Sequence, residues 1–102
     1  MNFFKDIPDN LQKELFETIF KTDKFRIERI VSDGHNSPEE FWYNQDENEW
    51  IIVLKGNAEI EFEDEIVTLK KGDYQNITKH KKHKVKSTSK QEKTVWLAIF
   101  YN

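Results

Sequence analysis

The sequence predicts an all-β fold, a double-stranded β-helix or jelly-roll barrel of about eight strands, with one α-helix near the N-terminus. Three observations carry this prediction. From Phe25 onward, short apolar runs alternate with polar positions at period two, the spacing of a half-buried strand. Turn residues such as Lys55-Gly56, Asp64 and Lys71-Gly72-Asp73 interrupt those runs at short, regular intervals. No helical pattern stands between the later runs, which excludes a βαβ arrangement. With 102 residues, 36% of them apolar, the chain supports one core and one domain. Within it, residues 1–24 are read as an N-terminal segment and helix packed on a barrel formed by 25–102.

The helix is expected over 10–22. Asp9 and Gln12 form a capping pair, and Leu11, Leu15, Phe16, Ile19 and Phe20 follow at helical spacing. The first strand takes Phe25, Ile27 and Ile30-Val31, and Phe41 to Tyr43 is read as another. Trp50 to Leu54 is an apolar run stopped by Lys55-Gly56, after which Ala58, Ile60 and Phe62 alternate with Glu59, Glu61 and Glu63, giving a hairpin with one wet face. Val67 with Leu69, Tyr74 to Thr78, His83 to Ser87 and Thr94 to Tyr101 complete the set. In the run after Lys82, alternation turns His83 inward and sends Lys84 and Lys86 to the other side.

Composition excludes several classes. The longest apolar run, Val95 to Tyr101, is far short of the roughly 20 residues of a membrane helix. Without cysteine there is no disulfide framework, thiolate nucleophile or thiolate metal site. No secretory leader pattern is seen at the N-terminus, so a cytoplasmic protein is expected. The formal net charge of -3 argues against general nucleic-acid binding. It conceals an asymmetry, because acids dominate up to Leu69 and lysines after it, so the two parts are expected to attract each other. A phosphate-binding role for Lys79 to Lys86 is the sharper reading of that basic run. A solvated strand face is the simpler one, and no aromatic residue interrupts the run as a stacking platform for bases.

At Glu49 to Gly56 and at Gly72 to His83 the chain resembles the small single-domain cupins. Glu49, WIIVLK and Gly56 match the second half of the first cupin motif, whereas its His-x-His does not appear. Those two places fall on Tyr43 and Gln45, or on Trp42 and Asn44, depending on the spacing. Gly72, DYQNI and His83 match the second motif, with Thr78, His80 and Ser87 replacing its proline, glycine and asparagine. The resemblance implies a divalent metal ion (Fe, Mn, Ni or Zn) held by Glu49 and His83. Gln45 would assist through its amide oxygen, and His80 would join if Lys81-Lys82 form a turn. It also implies a small-molecule ligand, for which Trp42 and Tyr43 are the candidate contacts. His35, in the Gly34 loop, is a further residue that could approach the barrel mouth.

Three functions compete. The first is a metal-binding cupin acting on a small molecule at an open coordination position. The second is a metal-free binding module, favoured by the missing His-x-His, and the third a metal-free isomerase using His83 with Tyr43 or Tyr74 as an acid/base pair. A homodimer is also expected. If Glu49, Ile51 and Val53 face inward, Trp50, Ile52 and Leu54 face outward, and the last strand repeats the problem.

Overall fold

The computed structural model describes all 102 residues and contains eight strands and no helix. They are β1 (Leu15–Lys21), β2 (Phe25–Ser32), β3 (Asn48–Lys55), β4 (Asn57–Phe62), β5 (Ile66–Lys70), β6 (Tyr74–Ile77), β7 (His83–Thr88) and β8 (Thr94–Tyr101). They form a five-stranded sheet in the order β1-β2-β8-β3-β6, facing a three-stranded sheet in the order β5-β4-β7. All pairings are antiparallel. No helix is long and apolar enough to cross a membrane.

The expected N-terminal helix is instead a coil followed by β1, and its sequence shows why the two were confused. Leu15, Phe16 and Thr18 oppose Val31, Ile30 and Glu28 of β2, but the register then skips Ile19 so that Phe20 opposes Ile27. This bulge reverses the in-and-out alternation. Apolar residues at 15, 16, 19 and 20 therefore mimic helical spacing while belonging to a strand. Thr22 closes the β1–β2 turn, its hydroxyl accepting from the backbone N–H of Lys24 and Phe25 at 3.1 and 3.2 Å. β-Branched and aromatic residues fill β1, and they suit a pleated edge better than a helix. The run 41–43 is also not a strand; only Tyr43 pairs, in an isolated bridge with His83.

The inner faces meet in one apolar cluster. Ile30, Ile51, Val53, Trp96, Ala98 and Phe100 come from the larger sheet, with Ile77 of β6, and Ala58, Ile60, Phe62 and Leu69 from the smaller one. The expected hairpin around Lys55-Gly56 is a correction of another kind. The runs flanking Gly56 do alternate as read, but they belong to different sheets, so the turn carries the chain across the sandwich instead of pairing its flanks. The true hairpin is β4–β5, where the N–H of Phe62 donates to the carbonyl of Glu65 at 2.8 Å. Gly56 has φ +83°, and a Cβ there would lie 2.4 Å from the Thr94 hydroxyl oxygen and 2.8 Å from its Cα. Both conformation and space demand glycine.

The coil before β1 covers one end of the outer face of the larger sheet. Arg29 is 5% exposed; its Nη1 donates to the carbonyls of Phe3 and Lys5 at 3.1 and 2.6 Å, and its Nε to Glu17 at 2.7 Å. Most strong ion pairs thus lie within the acidic part of the chain, as does Arg26 with Glu47 at 2.6 Å. Lysine pairing across the two parts is confined to Lys84 with Glu61, at 4.0 Å. Lys84 is also not on a solvated face: it is buried, its Nζ donating to the carbonyl of Glu39 and lying 4.7 Å from the ring centre of Trp42.

Replacing Gly56 by Ala is expected to lower stability by about 1–3 kcal/mol, the cost of a strained left-handed residue and a displaced Thr94. Urea denaturation checks this, and an unchanged midpoint would mean that the crossover turn tolerates a side chain.

Candidate functional site

Between the sheets, beneath β1, lies a cavity of about 50 Å³ bordered by residues of seven strands, of the coil before β1 and of the loop before β3. Its wall is mainly hydrocarbon, including Phe16, Ile51, Ile60, Val85 and Trp96. Its polar members are Glu14, Tyr43, Gln45, Glu49 and His83.

Strand geometry places Glu49 and His83. Both are buried, at 8% and 5% exposure, because each occupies an inward position on its strand, in step with Ile51 and Val53 on β3 and with Val85 on β7. Glu49 Oε1 lies 3.5 Å from His83 Nε2. That is longer than a good N–H···O hydrogen bond, so the pair faces without closing. His83 Nδ1 is 2.9 Å from the carbonyl oxygen of Lys81, an acceptor only, and therefore carries its hydrogen toward it. Nε2 is the nitrogen left facing the carboxylate.

The loop from Phe41 to Asp46 is zipped onto the start of β7. The N–H of Tyr43 donates to the carbonyl of His83 at 2.7 Å, and the reverse bond is 3.1 Å. Next to it, the N–H of His80 donates to the carbonyl of Gln45 at 2.8 Å. The Tyr43 ring stacks on the imidazole of His83, 5.5 Å between centres and 23° between planes, while Phe41 packs edge-on against Tyr43 at 4.8 Å. Burial pushes the Tyr43 phenol above its ordinary value, and the charges of Glu14 and Glu49 push the same way. The phenol therefore stays neutral. Gln45 Oε1 is buried and makes no hydrogen bond within the protein. At the rim, Glu14 accepts from the Ser32 hydroxyl at 2.6 Å, and Ser32 in turn accepts from the Trp96 indole N–H at 3.2 Å.

Of the residues singled out from sequence, Glu49, His83, Gln45 and Tyr43 are brought together at the cavity. His80 and Trp42 are not. The chain does turn at 78–81, through a bond from the N–H of Lys81 to the carbonyl of Thr78. The turn leaves His80 on the surface, its ring 3.2 Å from Asn44 Oδ1 and 3.3 Å from Asp46 Oδ1. With φ +66°, His80 occupies a left-handed position, in keeping with the glycine that the cupin motif carries there. Trp42 points to the opposite side from Tyr43 and covers Lys84. His35 bonds within its own loop, accepting from the N–H of Asp33 at 2.8 Å. Tyr74 is 66% exposed on the outer face and stacks on Trp50, so it cannot partner His83. Glu14 and Phe16 were not anticipated, because a helical reading of their segment hides which residues share a face with Ile30.

Comparison with known proteins agrees with this architecture. The family described as Cupin domain matches residues 29–100, and the chain belongs to it. Among solved structures, a protein of Ralstonia eutropha JMP134 named as a candidate mannose-6-phosphate isomerase is 36% identical, with a TM-score of 0.96 over 100% of this chain and 96% of that one. A cupin superfamily protein of Desulfitobacterium hafniense DCB-2 is 21% identical, with a TM-score of 0.76 over 93% of this chain and 83% of that one. A cupin-2 domain protein of Shewanella frigidimarina is 22% identical, with a TM-score of 0.71 over 91% and 85%. No curated protein matches.

The donor set does not fit the resident metal ion that the family resemblance implied. No group of three or more His, Asp or Glu side chains is placed so that it could hold a metal ion. Two of the four ligand places hold Glu49 and His83. Of the two spacings for the other places, the one whose residues border the cavity supplies the neutral amide of Gln45 and the Tyr43 phenol that its surroundings keep protonated, both poor donors beside imidazole.

The raised Tyr43 phenol has a consequence for stability. Above its ordinary value near 10 the unfolded chain has already released this proton and the folded one has not, so stability falls as pH rises through that range. Tyr43→Phe is expected to flatten the alkaline decline relative to wild type in denaturation curves taken from pH 9 upward. An identical decline in both proteins would contradict the assignment.

Proposed function

We propose that the protein is a small-molecule binding module whose ligand seats in the cavity between the sheets, held by Glu49, His83 and Gln45 without a resident metal ion. The observation that carries this reading is an apolar cavity in which the few polar groups converge and leave hydrogen-bonding capacity unused: Gln45 Oε1 makes no bond within the protein, and Glu49 and His83 stand 3.5 Å apart. Natural ligand sites have this composition, hydrocarbon walls with a small number of placed polar groups.

The other functions fit less well. Acid/base isomerisation by His83 with Tyr43 needs the hydroxyl and a ring nitrogen within hydrogen-bond reach, whereas stacked rings put the two groups side by side. A phosphorylated sugar, the substrate named for the Ralstonia relative, suits this cavity poorly. No Lys or Arg lines it, and its volume of about 50 Å³ is well below the roughly 150 Å³ that accommodates benzene.

The protein purified without a tag is expected to contain Fe, Mn, Ni and Zn far below one equivalent by elemental analysis; near-stoichiometric metal would overturn the metal-free reading. Small-molecule fragments are expected to shift the amide resonances of Tyr43, Gln45, Glu49 and His83, and a library that leaves all four unmoved would overturn the cavity as a ligand site.

The outer face of the larger sheet favours a homodimer. Register aligns Phe20 with Ile27, Ile27 with Ile99, Ile99 with Trp50, and Ile52 with Tyr74 across the sheet. Phe20 and Tyr74 are 55% and 66% exposed, because the N-terminal coil reaches only the Arg29 end. A two-fold pairing would bury this band. Light scattering is expected to give twice the 12.3 kDa of one chain, and a concentration-independent mass of one chain would remove the dimer.

A further inference from the structure

We infer that the cavity selects a small organic cation, a primary ammonium or an amidinium carried on a short apolar group; this rests on the reading of the cavity as a ligand site and names the chemistry of its ligand. The first argument is the sense of the unused hydrogen bonds. Gln45 Oε1 is a buried acceptor without a donor. Glu49 is an acceptor whose carboxylate is met by no Lys or Arg in the cavity wall. Because His83 commits Nδ1–H to the carbonyl of Lys81, the neutral form of its ring presents a lone pair at Nε2. Three acceptors therefore converge, and no Lys or Arg answers them. The ligand that satisfies such a set brings several N–H groups on one centre, and a positive charge strengthens each bond to the carboxylate.

The second argument is the field. Glu14 and Glu49 both border the cavity and no Lys or Arg does, although the chain holds sixteen of them. Lys81 and Lys84 come near but are turned onto the rings of Phe62 and Trp42. The same two carboxylates oppose a phenolate on Tyr43, and they would oppose any anionic ligand in the same way. The third argument separates an organic cation from a metal ion. A divalent ion must exchange its water shell for several strong donors, and no three or more of the imidazole and carboxylate groups are placed to hold one. An alkylammonium exchanges only its polar end, while its carbon atoms lie against Phe16, Ile51, Ile60 and Val85. The small volume limits that carbon part to a few atoms, with anything larger extending past Phe16, which is half exposed at the margin.

The test uses three probes with one carbon skeleton, isobutylammonium, isobutanol and isobutyrate, titrated into the full chain and followed by amide resonances. The ammonium is expected to bind at least about tenfold more tightly than the alcohol, since a hydrogen bond to a charged group contributes about 1.5–3 kcal/mol, and isobutyrate to bind least. Glu49→Gln, which keeps the side-chain shape, is expected to abolish the preference for the ammonium. Gln45→Leu, offered as a second variant should the first unfold, is expected to reduce it. Equal or tighter binding of the alcohol or the carboxylate would overturn the cation and leave the cavity reading standing. No response of the cavity amides to any of the three would overturn the cavity reading itself. Broadening of those amides by Mn²⁺ alone, not relieved by isobutylammonium, would overturn the organic cation in favour of a metal.

Discussion

The two backbone hydrogen bonds between Tyr43 and His83 hold the site together. β7 is an edge strand, paired on one side with β4 and open on the other. The loop before β3 closes that open side, at the Tyr43–His83 pair and, further along, where Ser37 bonds to the N–H and the carbonyl of Val85. Tyr43 is thereby laid on the His83 ring, Gln45 is fixed two residues further on by the bond from His80, and the chain enters β3 with Glu49 already inside. The polar groups of the cavity come from segments far apart in sequence, and this bridge joins two of those segments directly.

Around it, the site depends on ordinary sandwich packing. Glu49 and His83 are inward residues in step with Ile51 and Val53 on β3 and with Val85 on β7, so the hydrocarbon core that stabilises the fold also lowers the polarity around the pair. In such surroundings an acceptor without a donor is costly, on the order of 1–3 kcal/mol. A ligand with matching donors recovers that cost on binding. The family's metal-binding arrangement and the arrangement here differ by two side chains. On one of the two spacings of the missing His-x-His its places fall on Tyr43 and Gln45, which bring a phenol and an amide to the cavity in place of imidazoles.

The strands after Phe25 were legible because burial on one face imposes period two, and His83 could be turned inward from its neighbours alone. Glu49 needed more: its place at the end of an acidic run reads as a solvated loop, and only its spacing to Gly56 marks it as the first inward residue of β3. The N-terminal segment was misread for a specific reason. One bulge at Ile19 shifts the alternation of β1 and leaves apolar pairs four residues apart, the same signal that a helix gives. With that segment went Glu14 and Phe16, and with them the wall of the cavity nearest the exterior. The positions of His80 and Trp42 depend on a left-handed residue and on a bridge between remote segments, neither of which leaves a local trace in the sequence.

The central claim is that Nε2 of His83 faces Glu49 as an unused acceptor because Nδ1 is committed to a backbone carbonyl. Nitrogen-15 correlation spectra of the imidazole ring measure this directly on the ligand-free protein near neutral pH. The account predicts a neutral ring protonated at Nδ1, with an unprotonated Nε2 resonance that moves when a cation binds. A ring protonated at Nε2 and bare at Nδ1 would contradict it.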